Sequence, residues 1–291
     1  MIMNYVTQIR AKVGIYAKKK SSNIFDGSYR SIYKGNGMDF ENLREYIPGD
    51  SLRDVDWKAS SRSGKILVKR YVAEKKHNIM VVYDTGKKMC AHTNGMQIKR
   101  KLALNVGGVI SFLAEKNGDN VGAIYNRNTM IQYFQLRTGL MNVERILTQY
   151  DREDFANYDT DIEKSLEYII KNVRRKMILF VITDSSGVKS VSESTLKKLS
   201  YQHDVFVISI GDATLTNGNS FDNDNSKYIP EYISNNSELM KMELEMRQKI
   251  DLENEKKLLK YKIMSTKIDT DEEIVGKVIE LLGGHKNANN R

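Results

Sequence analysis

The sequence predicts an α/β protein built on a doubly wound, mostly parallel sheet, with a β-rich N-terminal extension ahead of it. Three observations carry the prediction. From residue 77 onward, short apolar runs alternate with stretches of helical periodicity, the order that a sheet with helices on both faces requires. The runs at 79–83 and 177–182 are apolar without alternation, as in parallel strands buried on both faces. Each leads into a polar turn, Asp84-Thr85-Gly86 and Thr183-Asp184-Ser185-Ser186-Gly187, at the edge where such sheets bind ligands.

Composition sets the bounds. A chain of 291 residues with 40% hydrophobic content buries a sizeable core, as one domain with an appendage or as two. Two prolines and 19 glycines argue against a disordered or fibrous chain. A single cysteine, Cys90, excludes an intramolecular disulfide framework and fits a reducing compartment. No apolar run approaches the length of a bilayer crossing, and the N-terminus shows no secretory leader, so a soluble cytoplasmic protein is expected. The net charge of +9 is uneven: residues 1–76 hold 16 Lys+Arg against 8 Asp+Glu, and the rest is nearly balanced. An acidic partner for the N-terminal segment is one reading, and a solvated basic face is the other.

The elements follow in order. Ile2, Tyr5, Val6, Ile9, Val13 and Tyr16 recur at three- and four-residue steps, an amphipathic helix over 2–17 that runs into Lys18-Lys19-Lys20. It is expected to pack on the rest of the protein, with peripheral contact to an anionic membrane as the alternative. Neither Lys34-Gly35-Asn36-Gly37 nor Ser63-Gly64-Lys65 has the spacing of a phosphate loop. Pro48-Gly49-Asp50 is a turn, Trp57 is expected to anchor it to a core, and Ile66-Leu67-Val68 reads as a strand. A helix is predicted over 96–115, strands pairing as a hairpin at 121–125 and 131–136, and helices at 140–149 and 161–173. A helix over 192–200 and a strand at 205–210 follow. Residues 212–227 form a loop that lacks the glycine and glutamate of a calcium site. The helix over 237–261 has Leu239, Met242, Met246, Ile250 and Leu258 as its expected buried stripe. A last strand at 262–265 and a last helix over 271–282, capped by Gly283, complete the chain. The expected segments are thus an extension over 1–76, a main domain over 77–285 and a disordered tail over 286–291.

One stretch is not ordinary loop. Arg44-Glu45-Tyr46, Pro48-Gly49-Asp50, Arg53, Asp56-Trp57-Lys58-Ala59-Ser60 and Arg62 carry charges of both signs and the sole tryptophan of the chain. This block resembles the signature of the domain-of-unknown-function 58 family, whose members place it just ahead of a fold similar to the von Willebrand factor A domain. The resemblance implies that fold for residues 77–285. It also implies a role as adaptor or partner of a MoxR-type AAA ATPase, with Arg44, Glu45, Tyr46, Asp50, Arg53, Asp56, Trp57 and Arg62 as binding residues.

The same resemblance invites a test for a divalent cation, which such folds hold on an Asp-x-Ser-x-Ser loop completed by a later threonine and aspartate. Asp84, Thr160 and Asp184 match the acidic and threonine places, but Gly86 and Lys88 stand where the two serines belong. The site is expected to be degenerate, with an ammonium pairing with Asp84 or Asp184 and each carboxylate capping its turn. No cofactor is expected, and magnesium remains the alternative.

No catalytic set emerges. His77, His92, His203 and His285 lack metal-ligand spacing, and no motif marks Cys90 as a nucleophile. Lys58, Arg62, Lys65, Lys69, Arg70, Lys75 and Lys76, beside Trp57 and Tyr71, offer contacts to nucleic acid, but strand alternation splits them between two faces and no nucleic-acid module is present. The leading expectation is a non-enzymatic protein-interaction module. A metal-dependent ligand binder, and a nucleic-acid or membrane-surface binder, are its alternatives.

Overall fold

Helix α1 (Tyr5–Lys19) opens the chain, followed by strand β1 (Met38–Glu45), helix α2 (Trp57–Ser63) and strand β2 (Leu67–Ala73). Then come β3 (Asn78–Tyr83), α3 (Lys99–Lys116), β4 (Asn120–Arg127), β5 (Met130–Arg137), α4 (Leu140–Asp151) and α5 (Ile162–Asn172). Next are β6 (Ile178–Asp184), α6 (Ser185–Ser190), α7 (Glu193–Gln202) and β7 (Asp204–Ile210). The two-residue strands β8 (Phe221–Asp222) and β9 (Lys227–Tyr228) precede α8 (Ser237–Lys260), β10 (Met264–Ile268) and α9 (Ile274–Asn289). This computed structural model describes residues 4–19, 38–73, 76–127, 130–155, 161–214, 221–222, 227–228 and 236–289.

Two compact units result. The larger holds residues 1–32 and 77–291, the smaller residues 33–76. In the larger unit six strands lie in the order β10-β7-β6-β3-β4-β5, parallel throughout except that β5 runs antiparallel to β4. This is the von Willebrand factor A type of doubly wound sheet, with the antiparallel strand at the edge as the hairpin of 121–136 predicted. All seven residues of β6 are buried, which is why its sequence shows no polar alternation. On one face Met80, Val82, Leu179, Val181 and Val207 pack against Leu166 and Ile169 of α5 and Leu196 and Leu199 of α7.

The N-terminal helix, expected as part of the extension, belongs to the larger unit. Its buried residues Val6, Ile9 and Val13 supply the reason. Gly108 of α3 lets it approach: a β-carbon there would stand 2.2 Å from Ile9 Cδ1. The buried Glu144 of α4 accepts hydrogen bonds from the first N–H groups of the helix, at Asn4 (3.0 Å), Tyr5 (3.2 Å) and Val6 (2.8 Å). A carboxylate at this end satisfies free donors and complements the positive end of the dipole.

Several expectations are corrected. Trp57 is 66% exposed and anchors no core. The segment after it is a helix, because Asp56 caps it by accepting from Ala59 N–H at 3.0 Å and Gly64, at φ 69°, ends it. In α8 only Leu258 of the expected stripe is buried; Leu239, Met242 and Met246 are exposed. That helix is held instead by polar side chains on main-chain carbonyls, Arg247 on Asp212 and Ala213, Asn254 on Ser185, and Lys257 on Val188 and Lys189. Gly283 does not cap α9, which continues as helix to Asn289, through most of the expected tail, with no proline to stop it. Among the described residues no helix is long and apolar enough to cross a membrane. The 212–227 loop and the degenerate calcium pattern lie mostly outside the described residues.

Candidate functional site

Strand order reverses between β3 and β6, so the crevice where such sheets bind ligands lies at the carboxyl ends of these two neighbours. Asp84 immediately follows β3 and Asp184 ends β6, and both are almost fully buried. Each carboxylate first serves its own turn. Asp84 Oδ1 accepts from Gly86 N–H at 2.9 Å, and Asp184 Oδ1 accepts from Gly187 N–H at 2.8 Å and from Ser186 Oγ–H at 2.8 Å. The capping role expected for the two residues is what these bonds supply.

The second service is to a lysine. Lys88 Nζ lies 2.9 Å from Asp84 Oδ2 and 3.0 Å from Asp184 Oδ1, so one ammonium bridges both carboxylates. It sits in a turn of 3₁₀ helix over Lys87–Cys90, just past the strand end, which fixes its reach into the crevice. Thr183 Oγ–H completes the set by donating to Asp84 Oδ2 at 2.5 Å. Gly187 must be glycine here, since a β-carbon would fall 1.9 Å from Thr183 Oγ1 and 2.6 Å from Lys88 Nζ.

Sequence reasoning missed two members. Lys99, the first residue of α3, is buried with its Nζ 3.1 Å from Asp184 Oδ2, and it also pairs with Asp212. The signal was a lysine at the positive end of a helix dipole, a placement that needs carboxylates nearby. Three carboxylates thus face two ammoniums, with Asp84, Asp184 and Lys99 buried and Lys88 and Asp212 partly exposed. Burial alone would raise Asp184, but Lys88 and Lys99 outweigh it and hold its carboxyl at about 2. Burial pulls Lys88 down while Asp84 and Asp184 more than reverse it; for the more deeply enclosed Lys99, burial prevails and its ammonium is lowered.

These residues do not fit a divalent cation. The position between Asp84 and Asp184 is taken by the Lys88 ammonium, whose three donors satisfy the oxygens that a metal would use. Among the described residues no group of three or more His, Cys, Asp or Glu side chains is placed to hold a metal. Thr160, the expected third ligand, lies outside the described residues.

The smaller unit holds the signature. Arg44 on β1 grips Asp50 with two parallel bonds, Nη1 to Oδ2 at 2.8 Å and Nη2 to Oδ1 at 2.6 Å, and Ile47 N–H donates to the same carboxylate at 2.9 Å. The Pro48-Gly49 turn is closed by this pair, and the pairing holds Asp50 below the usual carboxylate range. Glu45 pairs with Lys65, and Asp56 caps α2 with Lys69 at 3.7 Å. Arg53 and Arg62 are exposed without a side-chain partner among the described residues, and Leu52 at 65% and Ile47 at 59% are exposed like Trp57. Tyr46 is half-buried, its N–H donating to Ile66 C=O at 2.9 Å.

A protein-family model described as "Protein of unknown function DUF58" matches residues 42–217, from the signature through β7. The chain belongs to the DUF58 family. Uncharacterized proteins of Mycobacterium bovis and Mycobacterium tuberculosis are 23% identical to it over 197 residues, 67% of this chain and 62% of theirs, so the match spans less than two thirds of those relatives. Among solved structures this DUF58 chain is similar to a conserved hypothetical protein, BatB, from Bacteroides thetaiotaomicron, with TM-score 0.48 and 13% identity over 72% of this chain and 99% of that one. It is also similar to an aerotolerance-related membrane protein from Bacteroides fragilis, with TM-score 0.45 and 14% identity over 73% and 99% of the two chains.

Proposed function

We propose that this DUF58 protein is a non-catalytic protein-interaction module that works without a metal ion and binds its partner through the signature unit. One observation carries the reading. The ionic residues of the signature divide into those paired within the unit (Arg44, Glu45, Asp50, Asp56) and two, Arg53 and Arg62, without a side-chain partner among the described residues, which stand on the same unit as the exposed Trp57, Leu52 and Ile47. Exposed tryptophan and arginine are the side chains that dominate binding energy at protein interfaces. The ammonium between Asp84 and Asp184 supports the second half, since it supplies internally the charge that a metal-dependent binder takes from solution.

For the partner we propose an acidic surface on a MoxR-type AAA ATPase, on the strength of the family resemblance and the basic N-terminal segment. The test is direct association of the purified chain with such an ATPase in the native form and as Trp57→Ala and Arg53→Glu/Arg62→Glu variants. None of the three side chains has a hydrogen-bond or ion-pair partner among the described residues, so the fold is expected to be retained and association to fall by about tenfold or more, as hot-spot residues of ~2 kcal/mol require. Unchanged capture by all variants would refute the reading.

A further inference from the structure

The opposite edge of the sheet from Asp84 and Asp184 carries a second recess. A cavity of about 760 Å³ opens at the amino ends of β7 and β10, between the last turns of α7 and the end of α8, a volume in the range of small-molecule sites. Its charge is one-sided. Lys260 is neutralised by Glu193 at 2.6 Å and Asp204 by Lys176 at 3.0 Å, while Lys197, Lys198 and Lys262 have no carboxylate partner among the described residues.

A buried donor is left over in the same wall. His203 is 2% exposed, and its Nδ1 accepts the Met177 N–H at 3.3 Å, which places the ring proton of the neutral imidazole on Nε2. Among the described residues Nε2 has no hydrogen-bond partner. An unsatisfied buried donor costs about 1–3 kcal/mol and is uncommon in native proteins. Burial also holds the imidazole below its ordinary range, so the neutral donor form is the one present at pH 7.

Backbone and surface add to this. Lys262 lies at φ 57°, just after the end of α8, in the left-handed region where glycine is the usual residue. Tyr201 is 92% exposed at the rim, its ring unused by the fold.

We propose that this cavity binds a phosphorylated small molecule carrying an aromatic ring, of the mononucleotide class. Lys197, Lys198 and Lys262 hold the phosphate, and Tyr201 stacks on the ring. The site stands independently of the signature unit and of partner binding, and it places a ligand at the edge of the sheet that the lysine-filled crevice does not occupy.

The experiment is calorimetric titration of the full chain with AMP, adenosine and inorganic phosphate. AMP is expected to bind saturably, with adenosine and phosphate each about tenfold weaker or more. Lys262→Gly suits the backbone at that position and so retains the fold, yet weakens AMP about tenfold, and Lys198→Ala does the same. Tyr201→Ala weakens AMP but leaves phosphate affinity unchanged. Absence of saturable AMP binding at millimolar concentration overturns the proposal. So does AMP affinity that neither Lys262→Gly nor Lys198→Ala alters, and phosphate binding equal to AMP overturns the aromatic part.

Discussion

Lys88 shares one ammonium between two carboxylates that are otherwise sealed from water. Removing it leaves Asp84 with only a hydroxyl and a backbone N–H, so Lys88→Met is expected to cost about 3–5 kcal/mol, read as a lowered denaturant midpoint at unchanged slope. Acid acts on the same cluster with a definite sign. Asp184 lies at about 2 in the folded chain against 3.8 ordinarily, so its stabilisation is complete above about pH 4 and is lost as pH falls toward 2. The stability gap between native protein and Asp184→Asn should therefore narrow by on the order of 2 kcal/mol over that interval. Asp84, Asp184 and the intruding Lys88 were legible in the sequence because they sit within a few residues of apolar strands. Lys99 left only one local sign, a lysine at the start of a helix, and Asp212 left none, since their pairing spans 113 residues.

At the scale of elements, long apolar strands declare themselves and short capped helices do not. The seven residues of α2 carry no apolar stripe; the helix exists because Asp56 and Gly64 bracket it and because Ser60 Oγ accepts Leu67 N–H at 2.9 Å, tying it to β2. The opposite error occurs in α8, where periodic Leu and Met suggested burial but Arg247, Asn254 and Lys257 do the attaching. The apolar spacing of α1 was read correctly, whereas its cap was out of sight, since Glu144 is 138 residues from Val6. Glu144→Gln keeps the shape and removes the charge that serves three N–H groups. Amide exchange over the first turns of α1 should rise by a factor matching about 0.5–2 kcal/mol, with exchange in β6 unchanged. Equal acceleration in both would mean that α1 does not open on its own.

For the whole molecule, sheet order brings Asp84 and Asp184 to the one crevice where this fold class binds ligands, and Lys88 and Lys99 then fill it with the protein's own charge. The fold was legible because it follows from the alternation of strands and helices. The exposed Trp57 was not, because a lone tryptophan in a charged stretch reads as an anchor until its surroundings are known. The central claim, that an internal ammonium stands in for a metal, is tested most directly by calorimetric titration of the native chain and a Gly86→Ser/Lys88→Ser variant with manganese. The account predicts no saturable heat for the native chain at millimolar metal and a gain of binding in the variant, where Asp84 regains hydroxyl neighbours. Stoichiometric binding by the native chain that Asp84→Asn abolishes would contradict it.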